Sequence, residues 1–273
     1  MVRILRGMCF RYAIAAEMTP DPWSQLRKHT PARIALGRAG GSLPTNELLA
    51  FAADHADARD AVYSELDVAS LTDSLLPLGL PVLSLRSRAG DRETYLKRPD
   101  LGRWLDDASV AKVTASAAAG VDVALMVGDG LSAVAAQRHA AAVLMHLVPL
   151  LRKRRFSLGP ICIVTQARVA VEDEIGSLLK GRVALILIGE RPGLGSADSL
   201  GGYLIHGPAI GKTDAQRNCV SNIRRGQLSP PAAANALAWL IEQSLVRQIS
   251  GVELKDDRDP FLLGGDTLGV PGG

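Results

Sequence analysis

A chain of 273 residues, 47% hydrophobic but only 4% aromatic, can bury a substantial core, and that core must be built largely from Ala, Val, Leu and Ile. The formal net charge of +3 comes from basic residues spread along the chain apart from Arg152-Lys153-Arg154-Arg155, which reads as a solvated helix end, where cations are favoured, and not as a nucleic-acid patch. Cys9, Cys162 and Cys219 are odd in number, far apart and without C-x-x-C spacing, which argues against a disulfide framework or a zinc site and makes a reducing cytoplasm the expected compartment.

The first seventeen residues, MVRILRGMCFRYAIAAE, break every apolar run with Arg3, Arg6 or Arg11. That pattern is too interrupted for a signal-peptide core and too short for a membrane span, and Met18 is an alternative start. Residues 1–42 read as a partly disordered arm. An N-terminal helical segment follows over 43–74: Thr45, after Pro44, is the expected N-cap of a helix over 43–66, and Leu48, Leu49, Ala52, Ala56 and Val62 form its apolar stripe.

From about 75 to 252, short apolar strands alternate with helices. Strands are expected at 81–86, 121–127, 161–165, 183–188 and 202–205, and helices at 107–119, 131–151 and 171–179. Two more helices are expected near 214–225 and over 230–250, the last begun by Pro230 or Pro231 and ended by Gly251 in the left-handed conformation. Apolar strands without polar alternation, separated by helices, are what a parallel sheet buried on both faces requires. The expected fold is therefore α/β, a Rossmann-like doubly wound, mostly parallel sheet preceded by a helical N-terminal segment, with 253–273 as a flexible tail. No segment has eighteen consecutive apolar residues, so a soluble protein is expected.

In open parallel sheets ligands lie beyond the carboxyl ends of the strands. Here those ends carry Gly128-Asp129-Gly130, Gln166-Ala167-Arg168-Val169 and Gly189-Glu190-Arg191-Pro192-Gly193. Three buried strands thus set polar groups or glycine on one edge, where Glu190 and Arg191 can touch a ligand while Gly193 and Gly195 let backbone approach it. The plainer alternative is that Glu190 and Arg191 pair with neighbouring chain and the glycines turn a corner. Gly128-Asp129-Gly130 precedes a helix as phosphate loops do, yet lacks both G-x-G-x-x-G and G-x-x-x-x-G-K-[ST]. His139, in the helix that follows, reads as a surface or satisfied core residue. The five histidines form no H-E-x-x-H and the serines no G-x-S-x-G, so no catalytic residue and no metal ligand is assigned.

Six segments occur in an order that resembles one family: TPARIALGRAGGSLPT at 30–45, SRAGDRETYLKRPDLGR at 87–103, VGDGLSA at 127–133, QARVA at 166–170, GERPGLG at 189–195 and CVSNI at 219–223. Over about residues 21–252 the chain is similar to the small (light) subunit of adenosylcobalamin-dependent ethanolamine ammonia-lyase. The resemblance implies a Rossmann-like subunit that covers cobalamin at its contact with a large, barrel-shaped subunit, within a heterododecamer of both chains. It also implies conversion of ethanolamine to acetaldehyde and ammonia by a radical route begun by homolysis of the cobalt–carbon bond, with most of that chemistry in the large partner. The absence of D-x-H-x-x-G agrees with cobalamin that keeps its own base on cobalt.

The cofactor contacts implied by the resemblance are Val169, Glu190 and Cys219. The first two lie on the edge already identified, whereas Cys219 by itself reads as a small buried hydrophobe. Residues 1–20 and those after about Lys255 fall outside the resemblance. Some relatives enter a bacterial microcompartment through an N-terminal peptide, of which this arm gives no clear sign. Two other functions stay open: a single-chain nucleotide-binding α/β enzyme, motivated by Gly128-Asp129-Gly130, and a non-catalytic partner that handles cobalamin without joining the lyase.

Overall fold

The computed structural model describes residues 18–19, 21–30, 32–117 and 120–257. Cys9 and residues 258–273 of the expected tail lie outside them, whereas at the start of that tail Leu254 is buried. The chain divides into two compact units, 1–56 and 57–273. In the first, β1 (Met18–Thr19) pairs antiparallel with β2 (Arg38–Ala39), and α1 (Thr45–Tyr63) begins. Thr45 is not an N-cap but the first residue of α1, because the Pro44 carbonyl already accepts from Glu47 N and Leu48 N. The expected stripe of α1 is not covered either: Leu48, Leu49 and Phe51 are exposed.

The second unit is an α/β sheet. After α2 (Val68–Leu75) come β3 (Val82–Arg86), α3 (Arg92–Lys97), α4 (Asp107–Ser116) and β4 (Val121–Gly128). A single turn, α5 (Ala133–Ala135), widens into a π segment at Ala136–Ala140 and continues as α6 (Ala141–Lys153). Then follow β5 (Leu158–Thr165), α7 (Val171–Leu178), β6 (Gly181–Gly189), β7 (Leu200–His206), β8 (Arg217–Ile223) and α8 (Pro230–Arg247).

The six strands lie in the order β3-β5-β4-β6-β7-β8. The first four are mutually parallel, and β7 and β8 extend the sheet antiparallel at one edge. Alternate residues of each central strand feed two cores. Val123, Leu125 and Val127 of β4 join the side of α2, α6 and α8, while Ala124 and Met126 join that of α4 and α7. Each fully buried Leu or Ile in these layers contributes roughly 1.5–3 kcal/mol, which is why the central strands read as continuous apolar runs. Ala133–Lys153 is long and apolar enough to cross a membrane by length and composition alone. Its Val143, Leu144, Leu147 and Leu151 are fully buried in the sheet-side core, so it is a core helix.

Two further sequence expectations are corrected. The helix expected near 214–225 is a short 3-10 turn followed by β8. Ala215, Cys219, Val220 and Ile223 imitate a helical stripe, but the ladder to β7 and the burial of Arg217 override it. The last helix begins as expected, with Ser229 capping Ala232 N and proline at its first positions, but it ends on Gln248 in the left-handed conformation, not on Gly251. Gly251 lies beyond it, its N–H donating to Asn218 Oδ1 (2.8 Å).

Candidate functional site: a shelf at the carboxyl edge of the sheet

The chain leaves β4 toward α5 and α6 on one face and leaves β5 toward α7 on the other, so their loops part at the carboxyl edge. Such a divergence is where open α/β sheets hold ligands. The β6 loop, 190–199, arrives beside them.

The β5 loop is held almost atom by atom. Gln166 sits in the left-handed region with φ 57°. Its N–H and that of Ala167 both donate to the Asp129 carboxylate (2.7 and 2.9 Å). The Gln166 carbonyl accepts from Ser87 Oγ (2.7 Å), and the Ala167 carbonyl accepts from the Tyr95 hydroxyl (2.9 Å). Arg168 N–H donates to the Gly102 carbonyl (2.8 Å). A Cβ on Gly102 would stand 2.8 Å from Arg168 Cγ, so only glycine lets the loop settle there.

Residues 87–103 therefore form a cradle under this loop. Asp91 caps α3 by accepting from Thr94 N (2.9 Å), which sets Arg92 to donate to the Gly130 carbonyl (2.8 Å) and to Gln166 Oε1 (3.3 Å). Tyr95 is fully buried, with the guanidinium carbons of Arg92 and Arg168 4.6 and 4.1 Å from its ring centroid. Burial pushes its phenol above the ordinary range, which keeps it an O–H donor. Tyr95→Phe is expected to lower stability by about 1–2 kcal/mol, because the Ala167 carbonyl loses its partner; urea unfolding checks this.

The same geometry bears on the glycine pair around Asp129. Asp129 is 3% exposed, and burial pushes its carboxyl up against the pull of the two N–H groups it accepts from. The loop thus presents a buried carboxylate to its neighbour's amides, the reverse of an amide cradle for phosphate. Gly130, at φ 59°, and Gly189 are each pressed against a neighbouring backbone carbonyl, that of Gly189 for the first and of Ser132 for the second. At these two glycines the loops pack backbone on backbone.

What the pinned loops leave open is a shelf. Val169 lines two adjoining cavities of about 610 and 460 Å³, which also share Arg168 and Tyr203. Cys219 lines the larger and Glu190 the smaller. All three residues named by the resemblance therefore meet in one place, from the β5 loop, the β6 loop and β8. Cys219 is exposed, contrary to its reading as a buried hydrophobe, because it faces outward from an edge strand, opposite Tyr203 in the ladder.

Glu190 is oriented by its own loop. Its Oε2 accepts from Ser199 Oγ (2.6 Å) and Asn222 N (3.3 Å), and its backbone N–H donates to the Ser199 carbonyl (2.9 Å). Among the described residues Oε1 accepts nothing and stands over Gly201, where a Cβ would come within 2.9 Å of it. One carboxylate oxygen is thus anchored and the other is available. Arg191 is exposed and lines the smaller cavity; Arg168 belongs to the Tyr95 stack. Gly193 and Gly195 turn a corner: Gly193 N–H donates to the Ser196 carbonyl (3.3 Å) and Ser196 N–H returns to Gly193 (3.0 Å). His139 is satisfied by Asp198 (3.3 Å), which also pairs with Arg138 (3.1 Å) and so ties the β6 loop to the π segment.

Tyr203 and Arg217 also line the larger cavity and escaped the sequence reading. Arg217, on β8, donates to Glu172 (3.1 Å) and to both oxygens of Asp173 (3.0 and 2.7 Å) at the start of α7. That buried fork joins the strand carrying Cys219 to the helix that follows Val169. The acidic start of α7 was the only sequence signal, and nothing in it indicated a partner 44 residues away.

A model of the ethanolamine ammonia-lyase light chain family matches residues 20–255. The ethanolamine ammonia-lyase small subunit of Azotobacter vinelandii is 52% identical over 254 residues, which cover 92% of this chain and 94% of that protein. That of Xanthomonas campestris pv. campestris strain B100 is 50% identical over 250 residues, 90% and 92% of the two chains. That of Bradyrhizobium diazoefficiens is 49% identical over 247 residues, 89% and 95% of the two. With this match spanning both the cradle and the shelf, the chain belongs to the ethanolamine ammonia-lyase light chain family.

Proposed function

We propose that this chain is the small subunit of an adenosylcobalamin-dependent ethanolamine ammonia-lyase, active only with its large subunit, and that its shelf forms one wall of the cobalamin site. The observation that carries this reading is the meeting of Val169, Glu190 and Cys219 on two adjoining cavities. The residues suit a corrin, which is an apolar ring fringed with amides. Val169, the Tyr203 ring and the small Cys219 side chain offer apolar contact, and Glu190 Oε1 offers an acceptor for an amide N–H.

Adenosylcobalamin, when bound, supplies the radical chemistry that turns ethanolamine into acetaldehyde and ammonia. The contribution of this chain is position. The Asp129, Ser87 and Tyr95 hydrogen bonds fix the β5 loop before any ligand arrives, so little ordering cost falls on binding. An open shelf also needs a lid. The large subunit is the proposed lid, in a heterododecamer, and the exposed Trp23, Leu48, Leu49 and Phe51 of the first unit support assembly with another chain. Residence in the cytoplasm or in a microcompartment belongs to the same reading, and a leading peptide would fall in residues 1–17, outside the described ones.

Mixing the purified chain with a matching large subunit tests the assignment. Cobalamin-dependent acetaldehyde formation is expected only when both are present. Full activity from this chain alone would favour a single-chain enzyme, and failure to co-purify with the large chain would favour a cobalamin-handling partner. For the shelf itself, Glu190→Ala is expected to weaken cobalamin binding to the assembled complex by about 1–3 kcal/mol, the cost of leaving a buried donor unpaired. An absorbance titration giving an unchanged affinity would remove Glu190 from the site.

A further inference from the structure

The larger cavity is basic in a way the corrin amides do not require. Arg103, Arg168, Lys212 and Arg217 line it, against one acid, Asp214. Two of the four cations are already committed. Arg217 is neutralised by Glu172 and Asp173, with Asp214 3.4 Å from its Nε, and Arg168 is stacked on Tyr95 while donating to the Tyr95 carbonyl (3.2 Å).

Arg103 and Lys212 are different. Arg103 ends the short turn Leu101–Arg103, and Lys212 lies in the loop after β7. They also line a small neighbouring pocket of about 240 Å³ together with Asp100, Asp173 and Glu174. Each of those acids has another partner. Asp100 pairs with Arg98 (2.7 Å), Asp173 with Arg217 (2.7 Å), and Glu174 accepts from Leu105 N (2.6 Å). Among the described residues neither Arg103 nor Lys212 has a carboxylate within ion-pair distance, although both face one cavity. With Asp214 the one acid lining the larger cavity and no carboxylate within ion-pair distance of either cation among the described residues, the pair favours an anionic ligand there.

We propose that Arg103 and Lys212 bind the phosphodiester of the cofactor's nucleotide tail. The assignment rests on the reading that the corrin lies on this shelf and extends it. Cobalamin carries one anionic group, that phosphodiester, and otherwise presents amides. The two cavities divide this chemistry: the smaller holds the free carboxylate oxygen of Glu190 for amide N–H groups, and the larger holds the unpaired cations. The planar fork of arginine suits two phosphate oxygens, and lysine adds a point charge beside it.

The test compares two corrinoids on the complex assembled with the large subunit: cobalamin, and cobinamide, which keeps the corrin and its amides but lacks the nucleotide tail. In the double variant Arg103→Gln/Lys212→Gln, cobalamin affinity is expected to fall about ten- to a hundredfold, the range for charge-assisted hydrogen bonds. Cobinamide affinity is expected to stay as in the parent. Added salt should weaken cobalamin binding to the parent more than to the variant. Equal weakening of both corrinoids, or no weakening of either, overturns the assignment, and a double variant that no longer assembles places the pair in the subunit contact and overturns it too. A Val169→Arg control separates the two levels. If it binds both corrinoids like the parent, the shelf itself is wrong; if it loses both while the double variant is silent, only the phosphate assignment falls.

Discussion

Arg217→Ala is expected to lower the stability of the chain by about 3–5 kcal/mol, the largest single-residue effect outside the apolar core. The side chain is 2% exposed, and its partners Glu172 and Asp173 are 0% and 6% exposed. Removing the guanidinium leaves two carboxylates buried beside each other with nothing opposite. Burial pushes the Glu172 carboxyl well above its ordinary 4.5, with Arg217 pulling it back and Asp173 pushing it further. Without Arg217 the opposing pull is gone, so the variant's Glu172 rises higher still. The folded variant then holds a proton that its unfolded chain releases above about pH 4.5, so stability falls as pH rises from there. Urea unfolding across pH should show a deficit that is largest at neutral pH and shrinks toward pH 5. A deficit that does not vary with pH would mean that lost packing, not stranded charge, sets the cost. Because the fork joins β8 to α7, a looser Cys219 should follow, read as faster thiol labelling in the variant than in the parent.

Gly189→Ala is expected to cost about 3 kcal/mol and to open the shelf. Gly189 ends β6, and a Cβ there would run into the Ser132 carbonyl and crowd that of Asp129. These are backbone atoms of the β4 loop, so no side chain can swing aside. That loop is itself anchored, since Leu131 N–H donates to the Gly189 carbonyl (3.0 Å) and Ser132 Oγ to the Ala197 carbonyl (2.7 Å). Separating the two strand ends also drags Asp129 from the Gln166 and Ala167 N–H groups, which carries the strain to Val169. The expected outcome is a lower urea midpoint and weaker cobalamin binding in the assembled complex. A stable variant with parental affinity would show that the loops can part without disturbing the shelf.

Both expectations concern contacts between residues far apart in the chain, and this separates what was legible in the sequence from what was not. The central strands were legible, at 121–127, 161–165 and 183–188, because burial on both faces calls for mainly apolar runs without polar alternation. The helix after β4 was legible, and so was the start of α8 from its prolines. Glu190 and Val169 could be placed on one edge because strand direction decides where each loop emerges.

β8 was not legible, since an edge strand with Cys219 and Asn222 outward carries too few apolar residues to show a period of two. The roles of Asp129, Tyr95 and Gly102 were hidden for another reason. Asp129 meets amides 37 and 38 residues away, and Tyr95 a carbonyl 72 residues away, and no local pattern encodes such a meeting.

By itself, then, the sequence determined a layered α/β chain, the edge on which its polar loops gather, and through six ordered segments the family it resembles. Tertiary structure alone decided that Cys219 joins Val169 and Glu190, that Arg217 rivets β8 to α7, and that Arg103 and Lys212 face one cavity without a carboxylate partner among the described residues. The reason is physical. Burial of apolar side chains is set by local periodicity and leaves its mark along the chain, whereas pairing of charges and seating of loops depend on which distant segments the sheet order brings side by side.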